Sequence, residues 1–121
     1  MSTTIKHITF DSHDALVAAT FWAATLGMEV VGEPSEHFAV VGGPLLPEQH
    51  PILMFLKVPE DKQLKNRVHL DLETTDGVEH EIARLIGLGA RRVEDKDVWN
   101  TQWTIMADPE GNEFCVAPAR D

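Results

Sequence analysis

Displaced on itself by 62 residues, the chain brings His7 onto His69, Asp14 onto Asp76, Leu26-Gly27 onto Leu88-Gly89, Val31 onto Val93 and Pro47-Glu48 onto Pro109-Glu110. The alignment runs without a gap. Each pair occupies the same point of a local pattern: a histidine on an alternating segment, a capping aspartate, a glycine that stops a helix, and a turn ahead of a last strand. Two copies of one supersecondary unit restrict the architecture before any single element is placed, because each copy must bury the apolar face it carries.

Within the first copy, residues 5–10 alternate as a half-buried strand, Ile8 and Phe10 on one face, His7 and Thr9 on the other. Ser12 or Asp14 caps a helix running to Leu26, with Ala15, Leu16, Ala19, Trp22, Ala23 and Leu26 as its apolar stripe and Gly27 as a left-handed stop. Residues 28–31, 38–41 and 52–58 read as strands between Gly/Pro-rich turns. The order restarts at residues 68–72, where Val68, Leu70 and Leu72 share one face and His69, Asp71 and Glu73 the other. Asp76 and Glu79 have capping-box spacing for a helix that turns Val78, Ile82, Leu85 and Ile86 to the core and stops at Gly89. Strands follow at 90–94, 101–106 and 113–117. Asp108-Pro109-Glu110-Gly111 joins the last two, proline presetting φ and glycine accepting a positive φ. The expected fold is α+β: one domain over 1–121 made of βαβββ halves at about 1–58 and 67–121, with 59–66 as a solvated connector.

At 121 residues and 43% hydrophobic content the chain can bury one modest core. Twenty acidic against ten basic residues give a net charge of −10, which repels nucleic acid and anionic membrane and favours cationic ligands. Apolar runs such as 52–56 fall far short of the roughly 20 residues that cross a bilayer. Cys115 is the only cysteine, so no intrachain disulfide can form, as suits a reducing compartment. The first ten residues carry no secretory pattern, and the expected location is the cytoplasm. No phosphate-binding glycine loop, Ser-His-Asp order or Cys-x-x-Cys pair occurs.

His7 on the first strand, the helix end Leu26-Gly27-Met28-Glu29-Val30, the block Arg67-Val68-His69-Leu70-Asp71-Leu72 and the closing Asp108-Pro109-Glu110-Gly111-Asn112-Glu113-Phe114 resemble the vicinal oxygen chelate superfamily, which joins glyoxalases, bleomycin-resistance proteins and extradiol dioxygenases. The resemblance covers nearly the whole chain. It implies a glyoxalase-like fold in which the tandem modules form a curved mixed-sheet trough with helices on the outer face. It also implies a homodimer around a small-molecule pocket.

In metal-dependent members of that superfamily, inward side chains of the first and fourth strands of both modules bind a divalent ion. The resemblance carries the first-strand ligands onto His7 and His69, and imidazole suits first-row metals. The fourth strands depart from the pattern. Cys115 stands where a glutamate is expected, and the matching place in the first half falls at Leu53 or Met54. His7, His69 and Cys115 would make a zinc-type site, and zinc, nickel, manganese or iron are the ions implied; the missing carboxylates weigh on the side of no metal. Extradiol dioxygenase chemistry, which needs two histidines and a carboxylate on one iron, is the least expected branch: Glu113 has the chemistry and shares the inward face with Cys115, but its place beside the turn sets it near the rim.

Five residues stand out as ligand-binding candidates: Asp71, Trp103, Trp99, Met54 and Glu113. Asp71 can orient His69, meet a cationic ligand or sit solvated at an edge. Trp99 and Trp103 flank a turn, where large rings serve a pocket, a core or a dimer contact alike. Met54, Phe55 and Phe38 suit a pocket or sheet core, and Trp22 suits the core. Two functions follow. One is a metal-assisted lyase or isomerase; the other is a metal-free protein that sequesters a cationic or aromatic drug.

Overall fold

In a computed structural model, which describes residues 2–42 and 52–119, the first module runs β1 (His7–Ser12), α1 (Ala15–Leu26), β2 (Glu29–Val31), β3 (Phe38–Gly42) and β4 (Ile52–Lys57). The second repeats the order with β5 (Leu70–Thr74), α2 (Val78–Gly87), β6 (Arg91–Val98), β7 (Thr101–Ala107) and β8 (Glu113–Pro118). Each module belongs to its own compact unit, Met1–Asp61 or Lys62–Asp121. The two sheets have matching strand orders, β1-β4-β3-β2 and β5-β8-β7-β6. In both, the first strand lies parallel to the last while the other pairs are antiparallel. A parallel pair cannot be closed by a tight turn, so the helix and two intervening strands serve as its crossover. The chain is thus an α+β protein of two tandem βαβββ modules.

α1 begins at Asp14, which settles the choice between Ser12 and Asp14. One Asp14 carboxylate oxygen accepts from the Leu16 and Val17 amides at 3.0 and 3.1 Å. Gly27, at φ +67°, stops the helix, and the Met28 amide returns to the Ala23 carbonyl. The helix has no charged residue, and its buried face differs from the expected stripe. Ala18 and Phe21 are inside, while Leu16 and Leu26 are partly exposed. Trp22, 1% exposed, packs edge-on to Phe21 and forms the core with Leu53, Phe55, Ala39 and Val41. Burial of a side chain this size contributes about 2–3 kcal/mol.

The second module corrects the reading in three places. The Asp76–Glu79 capping box does not form. Gly77, at φ +88°, is the N-cap of α2 and no side chain caps it. The Glu79 carboxylate instead takes both Arg92 Nη1 and Nη2 at 2.9 Å, and a two-pronged charged pair outcompetes a single bond to an amide. The expected strand at 68–72 forms at Leu70–Thr74, leaving Val68 70% exposed and His69 ahead of the strand. β6 runs on to Val98, past the expected stop at residue 94, and joins β7 through Trp99 and Asn100, both at positive φ as a tight hairpin requires. The Asp108 turn forms as read: one carboxylate oxygen accepts from the Glu110 and Asn112 amides at 2.9 Å, and the Gly111 amide reaches the Asp108 carbonyl.

Strand register also shows where the two copies fall out of step. Thr9 pairs with Met54 and Asp71 with Cys115. The displacement is therefore 62 residues at the first strands but 61 at the fourth, and Met54, not Leu53, is the counterpart of Cys115. Pro47-Glu48 and His50 lie outside the described residues.

The two helix starts yield a direct comparison. Asp14→Ala is expected to cost about 1 kcal/mol in urea unfolding. Asp76→Ala should cost no more than a few tenths, since its side chain caps nothing.

Candidate functional site

A strand turns alternate side chains to opposite faces, so register sorts each sheet into a face under its helix and a helix-free face. In the first unit Ile8, Phe10, Leu53, Phe55, Ala39 and Val41 lie on the α1 side. His7, half-buried, falls on the other, together with Thr9 and Met54. Phe55 belongs to the core, stacked on Phe10 at 5.4 Å, and Phe38 is 44% exposed on the helix-free side.

In the second unit the buried residues Phe114, Val116 and Met106 pack toward Ile82 and Leu85 of α2. The helix-free face carries Asp71, Cys115 and Ile105 in one row across three strands, with Glu113 and Ala107 as the neighbouring pair. Four of the sequence candidates thus share one surface: Asp71, Cys115, Glu113 and, by alternation from Ile105, Trp103. Trp99 is apart from them at the hairpin tip, 95% exposed. Lys65, read from sequence as solvated connector, reaches Glu113 at 3.6 Å. Nothing in its local sequence marks that contact, which depends on the path of the chain from 62 to 69.

Partial burial and the adjacent Asp71 carboxylate, which is hydrogen-bonded to it, push the Cys115 thiol up to about 11; Glu113 adds to the effect and Lys65 opposes it. At pH 7 only ~10⁻⁴ of a group with such a value is thiolate, the form that attacks electrophiles or binds zinc. His69 is exposed, and its Nε2 lies 3.0 Å from the Asn66 carbonyl.

Among the described residues, no three His, Cys, Asp or Glu side chains within either unit gather closely enough to hold an ion. What the second unit does offer is a half-buried sheet surface where two carboxylates flank a protonated thiol and an indole stands close by.

A chain of two βαβββ modules, each with its first strand parallel to its last and one sheet face free of its helix, falls in the class of tandem-module α+β proteins. A family model for the glyoxalase-like domain matches residues 7–117, and the chain belongs to that family, within the glyoxalase/bleomycin resistance/dioxygenase superfamily. No curated protein sequence matches significantly. Among solved structures, the chain is similar to a "possible Glyoxalase" from Bacillus cereus, at TM-score 0.70, 21% identity and coverage of 96% of this chain and 99% of that one. A glyoxalase/bleomycin resistance protein/dioxygenase family enzyme from Burkholderia phytofirmans PsJN gives TM-score 0.74 at 14% identity, covering 98% and 100%. The bleomycin-binding protein of Streptomyces verticillus, solved with copper(II)-bleomycin, gives 0.59 at 16% identity, covering 99% of each. Likeness at these identities concerns the fold.

The thiol yields a pH prediction. Alkylation of Cys115 by iodoacetamide should keep rising through pH 10 without levelling, because its thiolate forms only near 11. Asp71→Asn removes the nearest negative charge and should speed the reaction at pH 8 about tenfold. A rate already level at pH 9 in the parent protein would contradict the burial and charge assigned to this thiol.

Proposed function

We propose that this glyoxalase-family protein binds a small cationic or aromatic organic molecule on the helix-free face of its second sheet, without a catalytic metal. The observation that carries the reading is the in-register pair Asp71 and Cys115 with Glu113 beside it. The carboxylates attract a cation, the protonated thiol is a donor and a soft apolar contact, and Trp103 supplies a ring for stacking. The net charge of −10 adds long-range attraction of the same sign. The bleomycin-binding relative of Streptomyces verticillus makes bleomycin a natural probe beside a planar cation such as ethidium.

The competing lyase reading requires a bound ion on His7, His69 and Cys115, a set without the fourth-strand carboxylates that the metal-dependent pattern calls for. Elemental analysis of the purified protein separates the two. Binding predicts far less than one metal ion per chain, with tryptophan fluorescence quenched by ethidium or bleomycin and an affinity about tenfold weaker in Asp71→Asn. Stoichiometric zinc, nickel, manganese or iron that is lost in both His7→Ala and His69→Ala would replace this reading with the lyase.

The same reading includes a homodimer. α1 carries no charge and leaves Leu16 and Val17 exposed, an uncharged patch on a chain whose −10 otherwise opposes self-association. Light scattering should find a dimer in the parent protein and a monomer in Leu16→Lys/Val17→Lys, with unchanged circular dichroism. A parent protein that is monomeric at tens of micromolar would remove the dimer.

A further inference from the structure

The second unit has a cavity of about 390 Å³ whose strand lining falls mostly on the opposite face from Asp71 and Cys115, with Trp103 of the helix-free face also at its border. Asp95, Thr104 and Val116 border it and are register partners across β6, β7 and β8, on the side of Phe114 and Met106 that α2 covers. The cavity exists because α2 is short. Its ten residues bury Ile82 and Leu85, while the β6–β7 hairpin extends past the helix's first turn. Val78 of that turn, Val116 and Pro118 supply apolar lining.

The polar wall is organised around Arg92, whose guanidinium is divided between two carboxylates. Nη1 and Nη2 grip Glu79, and Nε and Nη2 meet Asp95 Oδ1 at 3.1 and 2.8 Å. The Thr104 hydroxyl donates to that same Asp95 oxygen at 3.0 Å. Three donors thus converge on Oδ1, and among the described residues none reaches Oδ2. Asp97 follows two residues later on the same side of β6, and its only partner among the described residues is the Gln102 amide, at 3.4 Å. Lys96, the nearest lysine in sequence, is engaged by Glu94 at 3.1 Å. Arg92 is thus shared between Glu79 and Asp95, and Lys96, which also borders the cavity, is held by Glu94, while Asp95 Oδ2 and Asp97 keep acceptors that neither cation takes up among the described residues. On one strand face, positions two apart stand about 7 Å from each other, a span that a planar amidinium or a hydrated ammonium group bridges.

The structure assigns to this cavity a second ligand site, distinct from the helix-free face, for a small organic cation with an apolar body of the amidinium or arylalkyl-ammonium class. The charged head meets Asp95 and Asp97, and the body lies on Val78, Val116 and Pro118. Rim carboxylates over an apolar recess select both charge and shape, and a nine-atom probe of this kind should bind with a Kd below about 1 mM.

Benzamidine tests the assignment on the full chain by ¹H–¹⁵N NMR titration, with benzyl alcohol and benzoate as uncharged and anionic counterparts. The expected result is saturable shifts in the amides of residues 78, 79, 95, 97, 102, 104 and 116 with benzamidine alone, while those of Asp71 and Cys115 stay in place. Asp97→Asn, at an exposed position, should weaken binding about tenfold. Val78→Phe should abolish it by filling the recess, with the remaining spectrum unchanged. The site is overturned by any of three results: no saturable shift at 5 mM benzamidine, equal shifts from all three probes, or shifts confined to the helix-free face. The last would leave the reading of Asp71 and Cys115 standing, and loss of that reading in its own titration would leave this one standing.

Discussion

Each module depends on the parallel pairing of its first strand with its last. That ladder sets which side chains lie under the helix and which do not, because a one-residue slip would exchange the two faces of β8. In the register found, Leu70 and Leu72 stand opposite Phe114 and Val116 on the α2 side, and Asp71 stands opposite Cys115 on the other. A slipped register would drive the Asp71 carboxylate under α2 without a partner and lift a leucine into water. Both changes are costly, so burial of the apolar row also enforces the polar one. The same pairing in the first module puts His7 and Thr9 on the side of Met54. The helix-free surface is, in both modules, the by-product of how the core is made.

An acidic chain has to place its carboxylates at little cost, and the two faces of the second sheet do so differently. Under α2, Arg92 takes up Glu79 and Asp95 and holds both carboxyls below their ordinary range. This arrangement replaces the capping box and ties the first turn of the helix to the β6 bulge between Arg92 and Glu94. On the helix-free face Lys65 pairs with Glu113, and burial together with the Asp71 carboxylate leaves a thiol that resists ionisation. The edge strand β6, Arg91–Val98, is charged along most of its length, which discourages pairing with another chain. The uncharged exposed surface of α1 lacks such protection.

Much of this was legible in the residues. Alternation at His7, Thr9, Ile8 and Phe10, the Asp14 cap, the Gly27 stop and the Asp108 turn are local signals, and each formed as read because the partners lie within four or five residues. Trp22 was readable as core from its place on an apolar helix. The Asp76–Glu79 pair was misleading for the opposite reason: Arg92, thirteen residues from Glu79, makes the stronger bond, and only folding brings it there. Lys65 at Glu113 was hidden likewise, as was the exposed setting of His69 beside Asn66. The length of β6 followed from its long pairing with β7, which its own charged sequence does not announce.

The sequence by itself determined the repeat, the βαβββ order of each module, the family, and the faces on which His7, Asp71 and Cys115 fall. Periodicity and short-range capping suffice for those. Only the tertiary structure decided that Met54 is the counterpart of Cys115, that Asp71 touches the thiol, and that Arg92 joins α2 to β6 over a cavity. Such facts arise from cross-strand register and from competition between distant charged groups. Neither is written in the spacing of residues along a chain, because both are settled by which partners the packed core brings within a few ångströms.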